Sequence, residues 1–305
     1  MFKIILLIVI DVFIVFHFGF YLLNLNKQIR GIMSVCIVVK VGEGLVLASD
    51  SASTVSGAPI TPERQQGPQG IVKIFFNSTK IFQISTLPVG ILTWGAASFQ
   101  SRTIASLVEE FENREEIRQL AKENLEIKIL AKQIWDFLCT KSDELFGSIP
   151  TNARPSTGII VGGYSKEQFF PEEYHMVIPV EEPNLIRPDE NGRPNFGTNW
   201  YGMTDAIVRF HHGRDDRIFG MLEGFGISAE LITKIRDKIG LEIQYPVLFD
   251  AMPLGDAIEY AKFLVHLTIS RFRFVIGAEL CGGPIDIATI TRKEGFKWIS
   301  RKKIN

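Results

Sequence analysis

From Ser34 onward, the sequence predicts an α+β domain in which sheets are covered by helices. Pairs of β-rich runs open and close this part of the chain, and amphipathic segments with helical spacing lie between them. Of the 305 residues, 46% are hydrophobic and 22% are charged. These ordinary fractions exclude disordered and fibrous classes, and the length suits one large domain or two small ones.

Strands are predicted where short apolar or β-branched runs are bounded by turn residues. They lie at 35–40, 45–49, 80–85, 89–93, 158–162, 174–179, 284–291 and 295–299. The first two runs are joined by a short glycine-containing loop, which is typical of a β-hairpin. The last two are joined across residues 292–294 and predict a closing hairpin.

Helices are predicted where apolar residues recur at helical spacing. They lie at 98–113, 115–145, 228–239 and 254–271. In the last of them Leu254, Ile258 and Ala261 fall on one face. Polar stretches rich in Pro, Gly, Gln or Asn predict loops at 52–70 and 181–199.

The first hairpin places a carboxylate beside the residue that opens it. With the turn centred on Glu43, Cys36 is expected to face Asp50. Ser34 is then the diagonal neighbour of Asp50 on the same face, about 7–8 Å away by the usual antiparallel spacing.

Charge and cysteine content limit the functional classes. The net charge of −1 argues against nucleic acid as a partner, since such domains usually carry a basic excess. Cys36, Cys139 and Cys281 show no metal-binding or disulfide spacing, which favours reduced thiols in a cytoplasmic compartment. His211–His212, with Asp215 close behind, are interpreted as a solvated polar loop. No metal and no cofactor are expected.

The segment 1–33 is predicted to be a hydrophobic leader, separate from the domain at 34–305. Residues 4–23 are almost continuously apolar and are long enough to span a bilayer, although Asp11 interrupts them. The basic residues that follow would leave the domain cytoplasmic. Alternatively, translation begins at Met33 and the leader is upstream sequence. Both interpretations stay open.

Three segments in order resemble the proteasome β-subunit-like family of N-terminal nucleophile hydrolases. Residues 34–54 are similar to the start of a mature β subunit, where a nucleophile opens a strand and an Asp ends the returning one. Lys80-Ile-Phe-Gln-Ile, followed by Thr93-Trp-Gly-Ala-Ala, resembles the family's lysine strand and its substrate-binding glycine. Residues 282–296 resemble its closing Gly-Gly strand pair. The resemblance covers nearly all of the chain after the leader.

The resemblance implies a four-layer αββα sandwich, assembly into a homo-oligomeric ring and hydrolysis of peptide bonds in a peptide or protein substrate. The protein is expected to be cytoplasmic, with a membrane as partner only if residues 4–23 are retained. The alternative function is an inactive structural or interaction subunit of the same fold, tethered to a membrane if residues 4–23 are retained.

The resemblance also assigns the catalytic residues. Ser34 would be the nucleophile, activated by its own α-amine, whose pKa of about 7.7–8.0 leaves it partly neutral at working pH. That role requires Ser34 to be the first residue. Asp50 and Lys80 would tune the amine and the hydroxyl, and the N–H of Gly95 would stabilise the oxyanion. Lys73, in the near-copy Lys73-Ile-Phe-Phe, is rejected in favour of Lys80 because the glycine pattern follows Lys80.

The sequence departs from the family just before the closing Gly-Gly pair. The family places an Asp and a Ser there to orient the N-terminal amine, but this chain has Ala278 and Cys281. Glu279, one residue out of register, is a possible substitute for the family's Asp. The departure puts proteolytic competence in doubt and leaves the expected fold unchanged.

Overall fold

The computed structural model describes residues 34–57, 70–84, 87–120 and 125–303. The predicted leader at 1–33 lies outside the described residues, as does most of the predicted loop at 52–70. Along the part of the chain that the structure describes, no helix is long and apolar enough to cross a membrane.

The described chain is a mixed α+β domain with antiparallel sheets, as the sequence predicts. Fourteen strands are described: β1 Val35–Val41, β2 Gly44–Ser49, β3 Ser53–Gly57, β4 Gly70–Phe75, β5 Ile81–Gln83, β6 Val89–Gly95, β7 Ser98–Phe99, β8 Arg102–Thr103, β9 Thr157–Gly163, β10 Glu172–Ile178, β11 Glu181–Leu185, β12 Gly197–Gly202, β13 Asp286–Thr291 and β14 Gly295–Ser300. The first large sheet has the order β12-β1-β2-β13-β14, and the second has the order β11-β10-β9-β6-β5. β3 pairs with β4, and β7 pairs with β8.

The helices fall into two groups along the chain. They are α1 Ile104–Glu112, α2 Glu115–Leu120, α3 Ile127–Phe146, α4 Asp205–His212, α5 Arg217–Gly224, α6 Ala229–Glu242 and α7 Leu254–Phe274. Thr103 caps α1 by accepting the N–H of Ser106, and Ser228 caps α6 by accepting the N–H of Leu231.

Successive side chains of β1 point to opposite faces of the sheet and therefore pack in two different hydrophobic clusters. Val35, Ile37 and Val39 pack with residues of α7. Cys36 and Val38 pack with residues of the second sheet, in a cluster that joins the two sheets. A third cluster combines the opposite face of the second sheet with α1, α2 and α3. Because both faces of β1 are buried, its side chains are apolar throughout except for Lys40, which is also buried.

Five predictions about local structure are wrong. The single helix predicted at 115–145 is two helices, α2 and α3, because Leu125 and Glu126 are not helical. The predicted loops contain strands, since β3 and β4 form a hairpin and β11 and β12 lie within 181–202. The helix predicted from residue 98 begins at Ile104, after the short β7–β8 pair. The α4 and α5 helices were not predicted. The register of the first hairpin is also off by one, because Cys36 lies opposite Ser49.

Candidate active site

Ser34 is held at the start of β1 by the neighbouring edge strand. Ser34 is only 4% exposed, and its carbonyl oxygen accepts the N–H of Met203 at 2.7 Å. Gly202, opposite Val35 in the ladder, has φ +89°, and a Cβ there would lie 1.8 Å from that carbonyl oxygen. Only glycine therefore allows β12 to approach the backbone of Ser34 this closely.

The corrected hairpin register brings Asp50 next to the Ser34–Val35 peptide. The turn contains two residues, Gly42 and Glu43, instead of three, so Val35 lies opposite Asp50. The N–H of Asp50 donates to the carbonyl oxygen of Val35 at 3.2 Å. In return, Asp50 Oδ1 accepts the N–H of Val35 at 3.0 Å. Asp50 therefore pairs with Val35, the residue after Ser34, and the predicted diagonal pairing of Asp50 with Ser34 is wrong because the register differs by one.

The carboxylate of Asp50 is fully buried and accepts hydrogen bonds from four segments of the chain. Oδ1 accepts the N–H of Val35 and Lys80 Nζ, the latter at 2.5 Å. Oδ2 accepts the backbone N–H groups of Ala52 and Gly282, each at 3.1 Å. These donors offset the cost of burying the charge. Asp50 therefore joins β1, β2, the segment before β13 and the lysine before β5.

Lys80 is the lysine that reaches Asp50. It is 5% exposed and precedes β5, where its carbonyl oxygen accepts the N–H of Thr93 at 2.9 Å. The carbonyl of Thr93 in turn accepts the thiol of Cys36 at 3.2 Å. Lys73 lies on β4 and is exposed. The structure therefore separates the two similar lysine motifs.

The two buried cysteines next to this ion pair are poor nucleophiles. The pKa of Cys36 is raised to about 12, mainly by burial, with Lys80 opposing the change and Asp50 adding to it. Burial also raises the pKa of Cys281, again with a contribution from Asp50. Because the thiolate is the reactive form, neither side chain is activated for attack at neutral pH.

Gly95 and Glu279 lie in contrasting environments. Gly95 ends β6 with φ +89°, and a Cβ there would lie 2.7 Å from the carbonyl oxygen of Ser156. Its backbone conformation therefore depends on glycine. Glu279 is exposed in the segment between α7 and β13, as is the neighbouring Ala278, whereas Cys281 is buried.

A second buried ion pair next to Asp50 was not predicted. Lys302 pairs with Asp286, and its Nζ also donates to Ser51 Oγ at 3.1 Å. Asp286 directly follows Gly-Gly-Pro-Ile. A charged residue at the start of an apolar strand is a sequence signal that could have identified it. Lys302 carries no sequence signal of its own, because it lies among the basic residues 301–303.

The predicted polar loop at His211–His212 is instead the end of α4. His211 is buried, shares a hydrogen bond with the hydroxyl of Tyr260 and stacks on Trp200 with ring centroids 4.8 Å apart. Asp215 pairs with arginines, and hydrogen bonds from Arg217 hold the pKa of its carboxyl well below the usual value. Within the described ranges, no group of three His, Cys, Asp or Glu side chains could hold a metal ion.

No protein-family model and no curated protein matches this chain. Function is therefore inferred from the residues and their geometry. The arrangement at the start of β1 places a buried cation and a buried carboxylate beside the backbone of a serine. A lysine cation lowers the pKa of a nearby amine or hydroxyl, and a carboxylate acts in the opposite direction.

Proposed function

We propose that the protein is an N-terminal nucleophile hydrolase of the proteasome type, a peptidase or amidase in which Ser34 is the nucleophile. The observation that carries this proposal is the buried Lys80–Asp50 pair, whose Oδ1 also accepts the N–H of Val35. Lys80 Nζ and the N–H of Val35 donate to the same oxygen of Asp50. The ammonium group of Lys80 is therefore linked through that oxygen to the residue that follows Ser34. A buried charge pair is costly, so its presence at this strand end favours a chemical role.

The packing of the domain supports a four-layer αββα arrangement. One cluster contains side chains from both large sheets, and each sheet contributes its other face to a cluster with helices. In this arrangement β1 belongs to an inner layer, and Ser34 lies where β1 begins. A homo-oligomeric ring is part of the proposal, and exposed apolar side chains such as Phe225, Leu248 and Phe274 offer surfaces for subunit contacts.

The proposed reaction begins when Ser34 has a free α-amine. The neutral amine accepts the proton of the Ser34 hydroxyl as Oγ attacks the carbonyl carbon of a peptide bond. The nearby Lys80 cation lowers the pKa of both groups, which keeps the amine neutral and eases loss of the hydroxyl proton. The N–H of Gly95 donates to the resulting oxyanion. The amine then protonates the departing nitrogen, and water hydrolyses the Ser34 ester.

The decisive test compares two serine variants of protein whose chain begins at Ser34, as established by intact mass. Hydrolysis of fluorogenic peptide amides and covalent labelling by a β-lactone should both be lost in Ser34→Ala, while the oligomeric state is unchanged. The matched control is Ser148→Ala, an exposed serine just after α3, which should retain both activities. Unchanged hydrolysis in Ser34→Ala would refute the proposal.

The second candidate is an inactive subunit of the same fold, and the exposure of Ala278 and Glu279 favours it. In the family, an Asp and a Ser near these positions orient the amine, and an exposed glutamate supplies no equivalent buried group. This candidate predicts that protein beginning at Ser34 assembles normally but reacts with no electrophile that captures N-terminal nucleophiles. Labelling at Ser34 would exclude it.

A further inference from the structure

The segment that follows β14 is fixed to the start of β13 by a buried ion pair. The side chains of Lys302 and Asp286 are 3% and 1% exposed. The backbone N–H of Lys302 also donates to Asp286 Oδ1, at 2.8 Å. Buried ion pairs contribute little net stability, because desolvation offsets their attraction. The pair therefore calls for an explanation other than stability, and its neighbours provide one.

Lys302 is connected to the carboxylate of Asp50 through Ser51 and Gly282. Lys302 Nζ donates to Ser51 Oγ at 3.1 Å, and Ser51 Oγ donates to the carbonyl oxygen of Pro284 at 2.8 Å. The N–H of Ser51 donates to the carbonyl oxygen of Gly282 at 2.9 Å. The N–H of Gly282 donates in turn to Asp50 Oδ2, at 3.1 Å. The chain after Asp50 is thus tied to the same segment that supplies one of the donors to Asp50.

The register of the sheet places the two ion pairs side by side. Asp286 lies opposite Ser49, the residue immediately before Asp50. The two carboxylates are therefore carried by the ends of adjacent strands, and each has its own buried lysine. Movement of either strand end would change the position of both.

We propose that Lys302 is a positioning residue for the Ser34 site and that its pair with Asp286 acts as a clasp on the Asp50 segment. This inference rests on the proposed function. With Lys302 in place, Ser51 is held against Gly282, and the N–H groups of Gly282 and Ala52 donate to Asp50 Oδ2. Oδ1 then faces Val35 and Lys80. Without it, Ser51 loses a donor and Asp286 loses its cation, and the segment carrying Asp50 can shift away from Lys80.

The test uses protein whose chain begins at Ser34, as the proposed reaction requires, and two lysine variants that remove the same charge from adjacent positions. Lys302→Met removes the buried ammonium group, and the matched control Lys303→Met removes an exposed one. Amide hydrogen exchange is measured at residues 51–52 and 282, which donate to or flank Asp50. The kcat and KM for peptide amide hydrolysis are measured per active site titrated with a β-lactone.

Lys302→Met should speed amide exchange at residues 51–52 and 282 without changing exchange in β9 and β10. Its kcat per titrated site should fall by roughly tenfold to hundredfold, the range expected for small displacements of reacting groups, with KM unchanged. Lys303→Met should match the parent protein in both measurements. Unchanged exchange at residue 282, or unchanged kcat per titrated site, overturns the inference.

A second variant covers the case in which Lys302→Met fails to fold because Asp286 is left unpaired. The double variant Lys302→Met with Asp286→Asn removes both charges and keeps an acceptor for the N–H of residue 302. It should fold and show the same loss of kcat, and full kcat would overturn the inference. If the parent protein shows no Ser34-dependent hydrolysis, the proposed function fails instead. Amide exchange in the double variant then still decides whether the clasp holds the Asp50 segment.

Discussion

Replacement of Lys80 by methionine is expected to destabilise the domain by about 3 kcal/mol. Removing one partner of a buried ion pair typically costs about 3–5 kcal/mol, because the other charge is left uncompensated. Asp50 would keep three backbone N–H donors, which places the expected cost at the lower end of that range. With a total stability of about 5–15 kcal/mol for a typical domain, the variant should still fold.

The chain offers a matched control in its second lysine motif. Lys73 precedes Ile-Phe as Lys80 does, but it is exposed on β4, so Lys73→Met should change stability by less than about 0.5 kcal/mol. Urea unfolding, followed by tryptophan fluorescence and far-UV circular dichroism, measures both variants. If Lys80→Met and Lys73→Met unfold at the same urea concentration, Asp50 does not depend on Lys80 for its burial, and the account of the site is wrong.

Three further predictions follow from the same geometry. Gly202→Ala should lower the melting temperature and displace Ser34, because the new Cβ would meet the carbonyl oxygen of Ser34. Gly226 also has a positive φ but has open space around it, so Gly226→Ala should show only the effect of backbone strain. The raised pKa of Cys36 should protect this thiol from iodoacetamide at pH 8 in the folded protein and not in urea, as mass spectrometry would show. Burial lowers the pKa of His211, so the neutral form is favoured in the folded state. The free energy of unfolding should therefore fall as the pH drops below about 6.5. His211→Phe should reduce that pH dependence, measured by urea titration at pH 5 and 7.

Elements stabilised by local apolar patterns could be predicted from sequence. The β1–β2 hairpin has two continuous apolar runs around a glycine-containing turn, and α7 has a regular apolar stripe, so both were predicted. The register was not, because the sequence Gly-Glu-Gly is compatible with two or three loop residues. That one-residue difference moves Cys36 from Asp50 to Ser49.

Elements that bury few side chains carried no such pattern. β11 is a polar edge strand with the sequence Glu-Glu-Pro-Asn-Leu, and most of its residues are exposed. Its pairing with β10 is set by the tertiary structure, so the polar sequence predicted a loop. The position of Lys302 is likewise set by the tertiary structure. Its partners Ser51 and Asp286 are distant in sequence, and no local pattern distinguishes it from Lys303.

The distribution of buried polar groups supports the proposed site at the start of β1. Half of the buried polar and charged residues among those described occur in this one region: Ser34, Ser49, Asp50, Ser51, Lys80, Thr93, Asp286 and Lys302. Apolar residues would fill this space at lower cost, since desolvation of buried charges offsets their attraction. Departures from the hydrophobic pattern that persist in a packed core are expected at functional sites. Here they converge on one carboxylate, Asp50, which contacts the residue after Ser34 and connects both large sheets through Lys80.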